Sequence, residues 1–221
     1  MRFAAPPPTG PSRAEQAGLR STSELVAARA EQAQTLMDAA SRVMEANGTE
    51  RRATVAEIVR EAGLSNQAFY RHFASKDDLV DALIDSGLRR LVGYLAHAMD
   101  KAKAPEEQVR AWIRAVLSQS TDPAVAAPTR AVVWNRDTPM AGAANVQAQS
   151  EALAWTLLTA PLQQLGRPDP TSDAYLIGKH VFGVVSEALW ADPPPTAAEV
   201  RPVEDFCLAA VGISAKPARR R

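Results

Sequence analysis

Apolar residues recur three and four positions apart through most of this chain, the spacing that lines one face of an α-helix. Ala33, Leu36, Ala40, Val43 and Met44 make the first stripe. They predict a helix from about Ser23 or Glu24 to Ala46, stopped by Asn47-Gly48. Val55, Ile58, Val59 and Ala62 make the second stripe. Thr54 opens it, and Glu57 stands three residues on, so hydroxyl and carboxylate can form a capping box. Gly63 then suits a tight turn, because a residue without Cβ takes positive φ at little cost. Ser65 can cap a very short helix whose inner side carries Phe69 and Phe73, four apart. Its outer side carries Asn66, Gln67, Tyr70, Arg71 and His72. Ser75-Lys76-Asp77-Asp78 opens a long helix marked by Leu79, Leu83, Leu88, Leu91 and Leu95, reaching about Lys103. Gly87 inside it reads as a soft spot or a packing contact.

The rest of the pattern is helices divided by proline and glycine. Pro105-Glu106-Glu107 starts one that turns Val109, Trp112, Ile113 and Val116 inward. Asp122-Pro123 opens the next, which Pro128 should break or restart. A loop at Asp137–Gly142 precedes a helix over about Ala143–Leu165, with Pro161 expected to kink or end it. Thr171 or Ser172 should cap a strongly apolar helix stopped at Asp192-Pro193-Pro194-Pro195, and the last helix lies between Ala197 and Ile213. No strand-like run of alternating β-branched residues occurs. The expected fold class is therefore all-α, with about nine helices.

Composition narrows the picture. At 46% hydrophobic residues in 221, a large core can be buried, as one large domain or two small ones. Formal net charge is zero, so no electrostatic argument for a nucleic-acid partner follows from the total. The single Cys207 permits no intrachain disulfide and suits a reducing compartment. No apolar run approaches the roughly 18 residues of a membrane helix, and the N-terminus shows no secretion signal. A cytoplasmic protein without a membrane partner is expected. Residues 1–23, rich in Ala, Pro, Gly and Ser, read as a disordered tail, and 215–221 as a basic, solvated one. His72, His97 and His180 lack metal-ligand spacing, Cys207 stands alone, and no phosphate-binding glycine loop is present. Neither an enzyme nor a cofactor or metal site is expected.

Helices joined by a tight glycine turn describe a helix-turn-helix unit. Thr54-Val55-Ala56-Glu57-Ile58-Val59, Gly63-Leu64-Ser65, Phe69-Tyr70-Arg71-His72-Phe73 and Ser75-Lys76-Asp77-Asp78-Leu79 together closely resemble the N-terminal domain of the tetracycline-repressor (TetR) family. The resemblance spans about Glu31 to Leu83. It implies a three-helix DNA-binding domain, placed at 24–86. A larger helical effector-binding and dimerisation domain would follow at 87–214. Asn66 and Gln67 can pair with adenine edges, and Arg71 can reach a guanine or a phosphate. Ser65 starts this reading helix. By resemblance, Tyr70, His72 and Lys76 contact phosphates, and Thr54 meets the backbone from the second helix. Other uses stay open: Tyr70 as core edge, His72 as a solvated side chain, Arg71 paired with an acid, Thr54 and Lys76 as capping residues. From Glu24 to Ser86 there are seven Arg or Lys against eleven Asp or Glu, a net of −4. This departs from the usual basic footprint.

The resemblance also implies a pocket and a pairing surface in the C-terminal part. Met99, Trp112, Trp134, Met140 and Trp155 are candidates for its apolar wall, and His97, Gln119, Arg130 and Asn135 for its polar anchors. A Trp at helical spacing is more often a core residue than a ligand contact. Gly178 and Gly183 would let another helix approach closely, and the last two helices would pair across a two-fold axis into a homodimer. The implied function is a transcriptional regulator, most simply a repressor released from a palindromic double-stranded operator by a small apolar or amphipathic effector. The alternative is a DNA-binding dimer without an effector, acting as a constitutive or architectural repressor.

Overall fold

The computed structural model describes the backbone of residues 13–137 and 151–214, and the side chains of those from Glu24 on. All regular structure among the described residues is helical. The elements are α1 (Arg13–Asn47), α2 (Val55–Ala62), α3 (Asn66–His72), α4 (Lys76–Asp100), α5 (Pro105–Thr121) and α6 (Pro123–Trp134). They continue with α7 (residues 151–156), α8 (Thr159–Gln164), α9 (Pro170–Ala188) and α10 (Ala197–Ala210).

α1 begins at Arg13, ten residues before the expected cap. Residues 24–31 are all exposed, with Leu25 and Val26 more than half so. No buried stripe runs through residues 24–31, and Ala, Glu, Gln and Arg favour the helix by propensity. Helical residues 13–23 therefore replace part of the expected disordered tail; residues 1–12, 138–150 and 215–221 lie outside the described residues.

Leu36, Ala40 and Met44 of α1 meet Ile58, Phe69, Phe73, Leu79 and Val80 in one buried cluster. A second cluster gathers Leu95, Met99, Trp112, Ile113, Val116, Leu158, Leu162, Val181 and Leu208. α4 contributes to both without a break, so the step from residue 86 to 87 falls inside a helix. A Cβ at Gly87 would meet nothing within 4 Å, so this glycine is no packing contact.

Proline acts differently from expectation at two places. α6 runs through Pro128. Pro161 sits in the first turn of α8, where its missing amide costs nothing, and the interruption falls at residues 157–158 instead. The cap of α9 is Asp169, whose side chain accepts from the Ser172 amide at 3.0 Å, rather than Thr171 or Ser172. Gly178 is also spent inside the chain. A Cβ there would lie 2.6 Å from Trp155 Cβ, so the close approach it permits is to Trp155. Gly183 is exposed, and a Cβ on it meets nothing within 4 Å.

Candidate nucleic-acid interface

The turn before α3 forms as the local sequence dictates. Thr54 Oγ1 accepts from the Glu57 amide at 3.3 Å, and Glu57 Oε2 accepts from the Thr54 amide at 2.9 Å. Both halves of the capping box are thus closed. These bonds, with the Arg51 guanidinium beside the carboxylate, hold Glu57 down at a pKa of about 2. Gly63 has φ 65, and its amide and that of Leu64 turn back onto carbonyls of Arg60 and Val59. Ser65 Oγ then accepts from the Ala68 amide at 3.1 Å.

Phe69 is fully buried and Phe73 nearly so, with ring centroids 5.8 Å apart. They fix the helix by one side, and Ser65, Asn66, Gln67, Tyr70 and Arg71 are exposed on the other. Tyr70 stands edge-on to Phe69 with 59% of its surface open. It is presented rather than packed, although it touches a core ring.

Three expected contacts are already engaged within the chain. Thr54 Oγ1 donates to Glu57 Oε2 at 2.9 Å, so its hydroxyl proton is spent on the cap. His72 is half-buried, with Nε2 3.2 Å from Gln32 Oε1 on α1. Lys76 Nζ lies 2.9 Å from Asp137 Oδ2, and only 12% of the side chain is exposed. Gln32 and Asp137 carry no motif and lie 40 and 61 residues away in sequence, so spacing rules did not reach them.

The C-terminal candidates do not converge on one wall. Met99 and Trp112 share the second core, with Trp155 partly buried against it. Trp112 is fully buried and its Nε1 donates to the Ala154 carbonyl at 2.8 Å. His97 is exposed, and the half-buried Gln119 amide donates to the Ala115 carbonyl of its own helix at 3.1 Å. Arg130 is half-buried, and its Nε has no hydrogen-bond partner. Trp134 is 39% exposed, with the Arg52 guanidinium 5.6 Å from its ring centroid. Asn135 is fully buried at the junction with the first core: Oδ1 accepts from the Ala53 amide at 2.6 Å, and Nδ2 donates to the Ala131 carbonyl at 2.8 Å. Met140 lies outside the described residues.

A short helix held by two buried aromatic rings, entered by a glycine turn and bare along one polar side, defines a helix-turn-helix DNA reader. Comparison with known proteins agrees. Residues 36–83 match the family described as bacterial regulatory proteins, tetR family. The HTH-type transcriptional regulator BetI of Brucella suis biovar 1 (strain 1330) is 30% identical over 185 residues, covering 82% of this chain and 91% of that relative. BetI of Rhizobium meliloti (strain 1021) is 42% identical over 79 residues, a stretch covering 36% of this chain and 38% of that relative. The crystal structure of RolR in complex with resorcinol superposes with a TM-score of 0.63 at 16% identity, over 85% of this chain and 91% of that one. The chain belongs to the TetR family and is a DNA-binding transcriptional regulator.

Proposed function

We propose that the protein is a repressor that binds a palindromic operator as a homodimer and is released by a small-molecule effector. The observation that carries the DNA contact is the exposed row Asn66, Gln67, Tyr70 and Arg71 on a helix anchored by Phe69 and Phe73. Asn66 and Gln67 supply the base-edge pairs, and Arg71 reaches a guanine or a phosphate. Tyr70 supplies a phosphate contact, joined by His72, Thr54 and Lys76 where they exchange their partners within the chain for phosphate. Two copies reading successive turns of one groove face would set half-sites about one helical turn apart.

Pairing is supported by a stripe of apolar surface left open on α9 and α10. Leu176 on α9, Trp190 just past its end and Phe206 on α10 are about half exposed or more, and Gly183 lies between the first two in sequence with room for a neighbouring helix. The effector reading draws on the resorcinol held by RolR. Its counterpart, a regulator with a filled core and no effector, is favoured by one observation: the Trp112 ring is fully buried and its only donor is already satisfied. No helix among the described residues is long and apolar enough to cross a membrane, and a cytoplasmic site of action fits a DNA reader.

Selection of operator sequences from a random duplex pool with the purified protein tests this reading. The expected result is a palindrome with two half-sites, bound by a dimer. Addition of small aromatic and acyl compounds should then release it. An unselected pool would refute sequence-specific reading, and a selected operator that no compound releases would favour the effector-free regulator.

A further inference from the structure

The end of α6 and the residues after it grip the DNA reader with four successive side chains. Trp134 lies under the Arg52 guanidinium, Asn135 takes the Ala53 amide, Arg136 pairs with Asp81, and Asp137 bridges Arg52 and Lys76. The Asp137 carboxylate uses both oxygens: Oδ1 is 2.7 Å from Arg52 and Oδ2 is 2.9 Å from Lys76. Its own backbone amide donates to Asp77 Oδ1 at 2.8 Å, which fixes the carboxylate's approach. The two cations come from different elements, the turn before α2 and the first residue of α4. Two cations bracketing one two-oxygen anion is the arrangement that a phosphodiester also satisfies.

We infer that Arg52 and Lys76 form a site for one DNA backbone phosphate, and that Asp137 of the C-terminal domain occupies it as an internal anion. The inference rests on the DNA-reading function proposed above. In this conformation the docked end of α6 withholds both cations from DNA, and displacement of that end delivers them.

The charge balance gives the site its weight. The reader carries a net of −4 between Glu24 and Ser86. Of its seven cations, Arg42 pairs with Glu61, Arg51 with Glu57, and Arg52 and Lys76 with Asp137. Only Arg29, Arg60 and Arg71 lack an ion pair among the described residues. Releasing one carboxylate therefore raises the number of available cations from three to five. Hydrogen bonds from Lys76 and Arg52 hold the Asp137 carboxyl below its usual range, which agrees with a fully ionised bridge.

The test is Asp137→Asn, measured by fluorescence anisotropy on an operator duplex selected by the wild-type protein, from about 0.05 to 0.3 M NaCl. D137N should bind roughly three- to tenfold tighter at about 0.1 M salt, with a slope of log K against log salt steeper by about 1 to 2. Adding Arg52→Gln and Lys76→Gln to D137N should remove both gains. Asp137→Ala should behave like D137N, and thermal melts of each variant check that it is folded. Unchanged affinity and slope, or weaker binding by folded D137N and D137A, would overturn the inference, the second result because Asp137 would then be orienting Lys76 for DNA. Those outcomes leave wild-type operator binding intact. Wild-type protein that selects no operator would overturn the DNA-reading function together with this inference.

Discussion

The side-chain oxygen of Asn135 accepts a hydrogen bond from the backbone amide of Ala53 at 2.6 Å, joining residues 82 apart in sequence. Both are buried. The bond ties the residue that ends α6 to the amide just before the Thr54 cap, so α6 and the reader meet through a fully desolvated polar contact. Leaving that amide unpaired is costly. Asn135→Ala should lower unfolding free energy by about 1–3 kcal/mol in urea denaturation. Asn135→Asp keeps an acceptor for Ala53, and while protonated its O–H can donate to the Ala131 carbonyl, so at a pH low enough to keep it neutral it should retain more stability than Asn135→Ala. Equal stability of wild type and Asn135→Ala would show that water replaces the side chain.

Two glycines of α9 should respond oppositely to the same change. Gly178→Ala forces a Cβ to within 2.6 Å of Trp155 Cβ, an atom fixed to the backbone. Overpacking of this kind costs about 1–3 kcal/mol, read as a lower thermal midpoint. Gly183→Ala meets nothing within 4 Å and should raise the stability of the isolated protomer by about 0.5–1 kcal/mol. If α9 pairs with a second copy at Gly183, the same change should weaken the dimer in sedimentation equilibrium.

The Glu57 cap sets a pH dependence. Its folded-state pKa, about 2, lies below its ordinary 4.5 because the Thr54 amide, Arg51 and the Thr54 hydroxyl all favour the carboxylate. The ionised form is the one the fold favours, so the contribution is complete above about 4.5 and is lost as pH falls toward 2. Glu57→Gln should be less stable than wild type at pH 7, and the gap should narrow through that window. A gap constant from pH 7 to pH 2 would assign the loss to packing instead.

Tyr70 and the pair Asn66-Gln67 should separate affinity from selectivity. Tyr70 is 59% exposed, so Tyr70→Phe should leave the melting temperature unchanged. It should weaken all duplexes alike and lower the salt slope by about 1 if the hydroxyl accounts for one phosphate contact. Asn66→Ala with Gln67→Ala should instead cost about 1–3 kcal/mol on the preferred sequence relative to single-base variants. Competition binding against a panel of point-substituted operators reads both effects.

Most of the reader was legible because its signals are local. A hydroxyl three residues before a carboxylate, a glycine ending a helix and two Phe residues four apart state their geometry within one or two turns. The structure shows each in place: the closed box at Thr54, φ 65 at Gly63, and a buried Phe69. The Tyr70 side chain is outward for the same reason, since helical spacing turns it about 100° round from Phe69. Helix ends governed by propensity or proline were less legible. Arg13 rather than Ser23 starts α1, and Pro128 lies within α6, because neither a missing stripe nor a missing amide is decisive while neighbouring turns hold the backbone.

The chain's local pattern was enough to specify an all-helical fold, a helix-turn-helix and the polar row from Asn66 to Arg71, because each depends on residues a few positions apart. The partners of Lys76, His72, Asn135 and Gly178 came from elsewhere: Asp137, Gln32, Ala53 and Trp155. Those pairings are products of packing between distant segments, and no spacing rule encodes them. A lysine at a helix start has the same sequence signature whether its ammonium faces a phosphate or a carboxylate. Folding brought Asp137 to 2.9 Å from it, and so decided which anion Lys76 holds here.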